Sequence, residues 1–165
     1  MKLLTKLPVL VLFTVFVLTS CTTDIIDDNV ATLELKATNI KTKTIEVKIL
    51  ELINNHRLSL GLNTLADMNI VKSVAYTHTD YMINNDEVSH TNFFERSHYL
   101  KQNAGAERVS ENVAYGYSSA ESVVKAWLKS DGHKANIEGD YTNFDVSAEV
   151  NGEGKWYYTN IFIKK

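Results

Sequence analysis

The sequence predicts an α+β domain, with helices in its first three-quarters and an antiparallel hairpin at its end. Three observations carry this. Residues 44–60 and 69–84 set apolar side chains at three- and four-residue spacing, the helical period. Residues 118–132 repeat that period behind a serine start signal. Phe144, Val146, Ala148 and Val150 then alternate with Asp145, Ser147 and Glu149, as in a half-buried strand, before the loop Asn151-Gly152-Glu153-Gly154.

The first helix, over 44–60, gathers Ile45, Ile49, Leu52, Ile53, His56 and Leu60 on one stripe. Gly61 fits the left-handed residue that stops it. In the second, over 69–84, the stripe is Val71, Val74, Ala75, His78 and Met82. His56 and His78 both lie on or beside core-facing surfaces, and buried imidazoles with satisfied hydrogen bonds are expected there. From Val88 to Arg96 the chain reads as irregular and aromatic-rich, and residues 101–109 as loop with a short helix before them. Ser118 as N-cap with Glu121 three positions on forms a capping box for the third helix. Its stripe is Ala120, Val123, Val124, Trp127 and Leu128, and Gly132 is expected to close it. Residues 156–163, rich in aromatic and β-branched side chains, return as the second strand of the hairpin.

Ahead of this domain, residues 1–20 read as an export signal. Lys2 and Lys6 precede an uncharged run from Leu7 to Leu18, too short to span a bilayer and of the length of a signal core. It ends in Leu18-Thr19-Ser20-Cys21, which resembles a bacterial lipoprotein box. That resemblance implies cleavage before Cys21 and its acylation by chains such as palmitate. Two or three acyl chains give stable anchoring where one does not. The alternative is an ordinary secretory signal in which Cys21 is incidental. Residues 21–43 read as an acylated tether, mixed in composition and without a period. Fully extended, it reaches roughly 70 Å. Asp24, Asp27 and Asp28 read as solvated linker, with a sorting signal the other reading. The folded domain is expected to occupy 44–165.

Removing residues 1–20 from the 165-residue chain leaves 145, enough for one core. Cys21 is the sole cysteine, so no internal disulfide assists that core. Loss of Lys2 and Lys6 leaves 15 basic against 20 acidic residues, a net charge of −5, which argues against nucleic acid as a partner.

Zinc-protease HExxH, phosphate-loop and nucleophile-elbow motifs are absent. Glu95-x-x-His98 has the spacing of a helix-face ligand pair but stands alone and reads as surface. His90, Glu111 and His133 remain, each in a segment that reads as loop. Such a set can bind a divalent metal, tune a general base, or form a structural network.

Glu111-Asn112-Val113-Ala114-Tyr115-Gly116, Ala126-Trp127-x-x-Ser130, Gly132-His133-x-x-Asn136-Ile137 and Tyr157-Tyr158-Thr159-Asn160-Ile161-Phe162 form a set of four stretches. Together they resemble the CAP superfamily of cysteine-rich secretory, antigen 5 and pathogenesis-related class 1 proteins, its bacterial branch above all. Leu50-x-x-Ile53-Asn54-x-x-Arg57, Ala75-x-x-His78 and Ser89-His90 extend the match upstream, in consistent order over about residues 46–163. The resemblance implies an α-β-α sandwich with a small antiparallel sheet between helical layers. It also implies a cleft lined by two histidines and two glutamates in many members, with His90, Glu111 and His133 at three of those positions. The fourth glutamate aligns with Ser130, which removes one carboxylate. Two imidazoles and one carboxylate suit Zn²⁺ better than Ca²⁺ or Mg²⁺.

The expected protein is thus a monomeric, lipid-anchored domain of the bacterial cell envelope, outside the cytoplasm. It binds a small apolar ligand or an envelope partner through the cleft at His90, Glu111, Ser130 and His133, with Zn²⁺ as the candidate metal. A hydrolase using the same cleft and a non-catalytic polar network are the rival readings, and catalysis is the less favoured one.

Overall fold

The computed structural model describes residues 41–165. The expected signal segment, Cys21 and all but the last three residues of the expected tether lie outside the described residues. Within them the order is α1 (Thr44–Ser59), β1 (Ala66–Asp67), α2 (Asn69–Asn84), α3 (Phe93–Ala104), β2 (Arg108–Tyr115), α4 (Ala120–Lys129), α5 (Asp131–Ile137), β3 (Asn143–Val150) and β4 (Trp156–Lys164). The α+β class is as the sequence predicts.

The sheet runs β1-β3-β4-β2. The β3–β4 hairpin is antiparallel, from Asn143 opposite Ile163 to Val150 opposite Trp156. β2 pairs antiparallel with β4 on its other side, Glu111 facing Ile161. β1 adds two residues in parallel to β3, so the sheet is mixed rather than purely antiparallel. The two-residue β1 is too short to leave an alternation in the sequence.

Both faces of the sheet are covered. On one, Phe144, Val146, Ala148, Tyr158 and Phe162 pack with Ile49 and Ile53 of α1, Val123 and Trp127 of α4, and Ile137 of α5. On the other, Ile161 and Ile163 meet Val71, Val74 and Ala75 of α2 and Leu100 of α3, while Met82 packs on Val113 and Tyr157. This is the three-layer arrangement. It also corrects the half-buried reading of β3, since Asp145 and Ser147 are buried as deeply as their apolar neighbours.

Four local expectations shift. The short helix expected before residue 101 is a three-turn helix, α3, that begins within the segment read as irregular and buries Arg96, Leu100 and Ala104. A stripe that opens on a charged residue hides the apolar period. Residues 108–115 form a strand where the sequence reads as loop, because Glu111 and Asn112 are polar yet buried. The cap of α4 is Ser119, whose Oγ accepts the Ser122 N–H, rather than Ser118 with Glu121. Nor does Gly132 end that helix; Ser130 does, with extended backbone, and Gly132 lies inside α5.

α1 keeps Ile49 and Ile53 in the core but buries Glu46 and Arg57 beside them, leaving Leu60 exposed. Gly61, at φ +73°, is the left-handed stop expected. Arg57 ties distant turns together: its Nε donates to Asn63 O at 2.8 Å, and its Nη1 to Ile137 O and Gly139 O at 2.7 and 2.8 Å. That fixes the C-terminal end of α5, the helix that carries His133. His56 is half-buried and meets Glu138 at 2.8 Å, a satisfied imidazole as expected.

Candidate functional site

Glu111 sits mid-way along β2, an edge strand, and points toward α2 and α3. Arg96, in the first turn of α3, reaches it with two parallel bonds, Nε to Oε2 and Nη2 to Oε1, both 2.8 Å. Its third nitrogen, Nη1, donates to Thr91 O at 2.7 Å and so fixes the α2–α3 connection. His90, in that connection, donates Nδ1–H to Glu111 Oε1 at 2.8 Å. Its ring stays 52% exposed. The bond to Glu111 occupies Nδ1 and leaves Nε2 as the outward nitrogen of this ring.

His78 of α2 lies behind them, buried, with Nε2 bonded to Ser89 O at 2.7 Å. A carbonyl can only accept, so Nε2 carries the proton. Glu111 Oε1 is 3.8 Å from the same nitrogen, too long for a hydrogen bond. Burial holds the His78 pKa below 6.5; the Glu111 charge pulls it upward, and those of Arg96 and His90 push it down again. For Glu111, burial acts to raise the pKa, but the bonds from His90 and Arg96 and the Arg96 charge outweigh it. The carboxyl is held below its ordinary 4.5. The result is a buried ionised carboxylate beside a buried neutral imidazole.

His133 approaches from the other layer. Successive strand residues point to opposite faces, so Asn112 projects toward α5 where Glu111 projects toward α3. Asn112 Nδ2 donates to His133 O at 3.0 Å, and Asn136 Nδ2 donates to Asn112 Oδ1 at 2.8 Å and to Glu111 O at 3.3 Å. This asparagine pair straps α5 to the edge of β2. Burial first, then the charge of His90, lowers the pKa of His133 from 6.5. His133 thus feels His90 across the edge, while the bonds that fix it are to its backbone. Ser130, half-buried at the α4–α5 junction, donates its N–H to Trp127 O and accepts Lys134 N–H at its carbonyl.

His90 and Glu111 therefore meet in a hydrogen bond, His133 stands nearby on a separate layer, and Ser130 shapes the turn that delivers it. Arg96 and His78 belong to the cluster and are not among the expected site residues. For Arg96 the one available signal is its spacing of four from Leu100; for His78, its place on the core stripe also puts it under the site. As a metal centre the donors fit poorly. Both Glu111 oxygens are engaged by a guanidinium, whose charge opposes a cation. Among the described residues no group of three or more His, Cys, Asp or Glu side chains is arranged to hold a metal ion.

Away from this cluster, α1 and α4 leave a groove of about 330 Å³ between them. Leu52, Val124 and Leu128 line it, with Glu121, Lys125 and Lys129 alongside. A second hollow, of about 630 Å³ beside α1 and β1, has Glu51, Asp67 and Asp145 among its lining residues.

Residues 50–162 match the family described as CAP: Cysteine-rich secretory protein family. The chain belongs to this family. Two Bacillus subtilis (strain 168) proteins are relatives: the uncharacterized membrane protein YlbC, 35% identical over 131 residues, and the uncharacterized protein YkwD, 32% identical over 124. The alignments cover 74% and 73% of this chain but 35% and 47% of those proteins, so the chain spans about a third to a half of their length. Among solved structures, an SCP-domain extracellular protein from Bacillus anthracis str. Ames superposes with TM-score 0.64 at 27% identity, over 73% of this chain and 40% of that one. An outer surface protein from Borrelia burgdorferi superposes with TM-score 0.68 at 24% identity, over 76% of this chain and 96% of that one, and speaks for the CAP fold alone.

Proposed function

We propose that this CAP domain is an extracytoplasmic binding module, held at the bacterial cell envelope through acylated Cys21, whose ligand is small, apolar along its length and anionic at one end. The observation that carries the reading is the α1–α4 groove. Leu52, Val124 and Leu128 offer an apolar wall to an alkyl chain, where each buried CH₂ is worth about 0.8 kcal/mol. Lys125 and Lys129, one helical turn apart, offer two ammonium groups to a carboxylate or phosphate head. The hollow beside β1 also has apolar lining, including Val47, Leu50 and Phe144, but its charged lining residues are Glu51, Asp67 and Asp145, which disfavour an anionic end. The envelope location rests on the Leu18-Thr19-Ser20-Cys21 box and on the descriptions of similar proteins as membrane and extracellular proteins. No helix of the described residues is long and apolar enough to cross a membrane.

The test is a fluorescence titration with a polyene fatty acid, on the wild type, Leu128→Glu and Lys125→Glu/Lys129→Glu. Saturable binding by the wild type and its loss in both variants is the expected result. No binding by the wild type, or equal binding by Leu128→Glu, overturns the proposal.

A second reading is favoured by one bond. Glu111 orients His90 with Nε2 toward solvent, the arrangement that a general base requires. Ester or peptide hydrolysis that disappears in His90→Ala while the fold persists supports it; hydrolysis unchanged in that variant rejects it.

A further inference from the structure

Asn151, at the turn between β3 and β4, is the one asparagine of the chain that glycine follows. With no Cβ on Gly152, the main-chain nitrogen after Asn151 is unhindered. It can reach the carbon of the side-chain amide and close a five-membered ring.

The hairpin leaves this reaction open. Asn151 N–H donates to Lys155 O at 2.9 Å, and Asn151 O accepts the Gly154 N–H at 3.0 Å. Gly154, at φ +79°, turns the chain back in the left-handed region that favours glycine. The turn brings two backbone donors onto the Asn151 side chain. Its Oδ1 accepts the N–H of Glu153 at 3.0 Å and that of Lys155 at 2.9 Å. Neither Nδ2 of Asn151 nor the Gly152 N–H has a hydrogen-bond partner among the described residues. Gly152 is exposed, and no atom lies within 4 Å of where a Cβ would stand.

These features favour one step. Two N–H groups aimed at a carbonyl oxygen stabilise the negative charge that it gains when its carbon is attacked. The nitrogen that attacks has no ladder bond to break first, and the group that leaves is open to water.

We propose that Asn151 is a self-modification site, at which a side-chain amide becomes a carboxylate with water as the only co-reactant. The Gly152 nitrogen bonds to Asn151 Cγ and passes its proton, through water, to Nδ2. The Cγ–Nδ2 bond then breaks, ammonia leaves, and a cyclic imide remains. Water opens the imide at either carbonyl, giving aspartate or isoaspartate. Nothing is oxidised or reduced. The aspartate product keeps Oδ1 as the acceptor for both amides and so keeps the turn. The isoaspartate product carries an extra methylene in the main chain and loosens the pairing of residue 151 with Lys155. Either product adds one negative charge at the hairpin tip, far in sequence from the α1–α4 groove and the His90–Glu111 cluster. The inference therefore stands or falls independently of the proposed function.

The experiment is mass-spectrometric peptide mapping of the full chain, kept folded at mildly alkaline pH, as wild type and as Gly152→Ala. Gly152 is outside the left-handed region and has open space around it, so alanine fits without strain while its methyl crowds the attacking nitrogen. The expected result in the wild type is the mass gain of amide to acid at residue 151, ahead of every other asparagine, with isoaspartate in part of the product. Gly152→Ala should lose most of that gain. An unchanged residue 151, over a time in which the same chain unfolded in urea converts, would overturn the proposal. So would another asparagine converting first, or equal conversion in Gly152→Ala. All but the last of these readings need the wild type alone.

Discussion

Arg96 holds both carboxylate oxygens of Glu111, at 2.8 Å each, with the two side chains almost wholly buried. The pair joins α3 to the edge strand β2 and fixes the loop that presents His90. Removing one partner leaves the other as an uncompensated buried charge. Arg96→Ala and Glu111→Ala are each expected to cost about 3–5 kcal/mol in denaturant unfolding. The double replacement Arg96→Met/Glu111→Leu should cost less than either, because no lone charge remains. A cost below about 1 kcal/mol for both single variants would contradict a buried pair.

His90 differs, because its ring is half in water. His90→Ala should change stability by less than about 1 kcal/mol. It should also raise the pKa of His133, since the positive charge of His90 is the second cause holding that value down. An NMR titration of the His133 ring in both proteins reads this directly; an unmoved value would mean the two rings do not communicate.

Acid should weaken the fold in two stages. Folded His78 resists protonation, whereas the unfolded imidazole takes its proton near 6.5, so below neutrality the unfolded chain binds more protons and stability falls. Glu111 acts lower: its contribution is complete above 4.5 and is lost as pH drops through its depressed folded value. Asp145 opposes both. Burial raises it to about 6, so it gains a proton in the folded state first and favours folding as pH falls from 6 toward 3.8. His78→Gln, which keeps a donor for Ser89 O, should therefore lose less melting temperature between pH 7 and pH 5 than the wild type does. An equal or larger loss would remove His78 as the cause.

Zinc should not stabilise the domain. Glu111 is already committed to Arg96, and two imidazoles on separate layers make a weak site. Titrated Zn²⁺ is expected to give no saturable rise in melting temperature that His133→Ala abolishes. Such a rise would restore the metal reading of His90, Glu111 and His133.

The fold is legible in the sequence where burial follows apolar periodicity. α2 and the hairpin match their expected spans because Val71, Val74, Ala75 and Met82, and the alternation from Phe144 onward, are unmixed signals. α3 shows only as a short helix and β2 not as a strand, because Arg96, Glu111 and Asn112 are buried yet polar and look like surface until their partners are known. For the same reason His90 and Glu111 can be named as candidates, but not Arg96, which decides what Glu111 can do. The buried ion pair of Glu46 and Lys72 leaves no trace either. A pair divided between two helices has no local period.

The central claim, ligand capture between α1 and α4, is tested most directly by amide chemical-shift mapping of the labelled protein titrated with a fatty acid below its micelle concentration. Saturable shifts clustered at Leu52, Val124, Lys125, Leu128 and Lys129 are expected. Shifts confined to the surroundings of His90, Glu111 and His133, or no shifts at all, would contradict it.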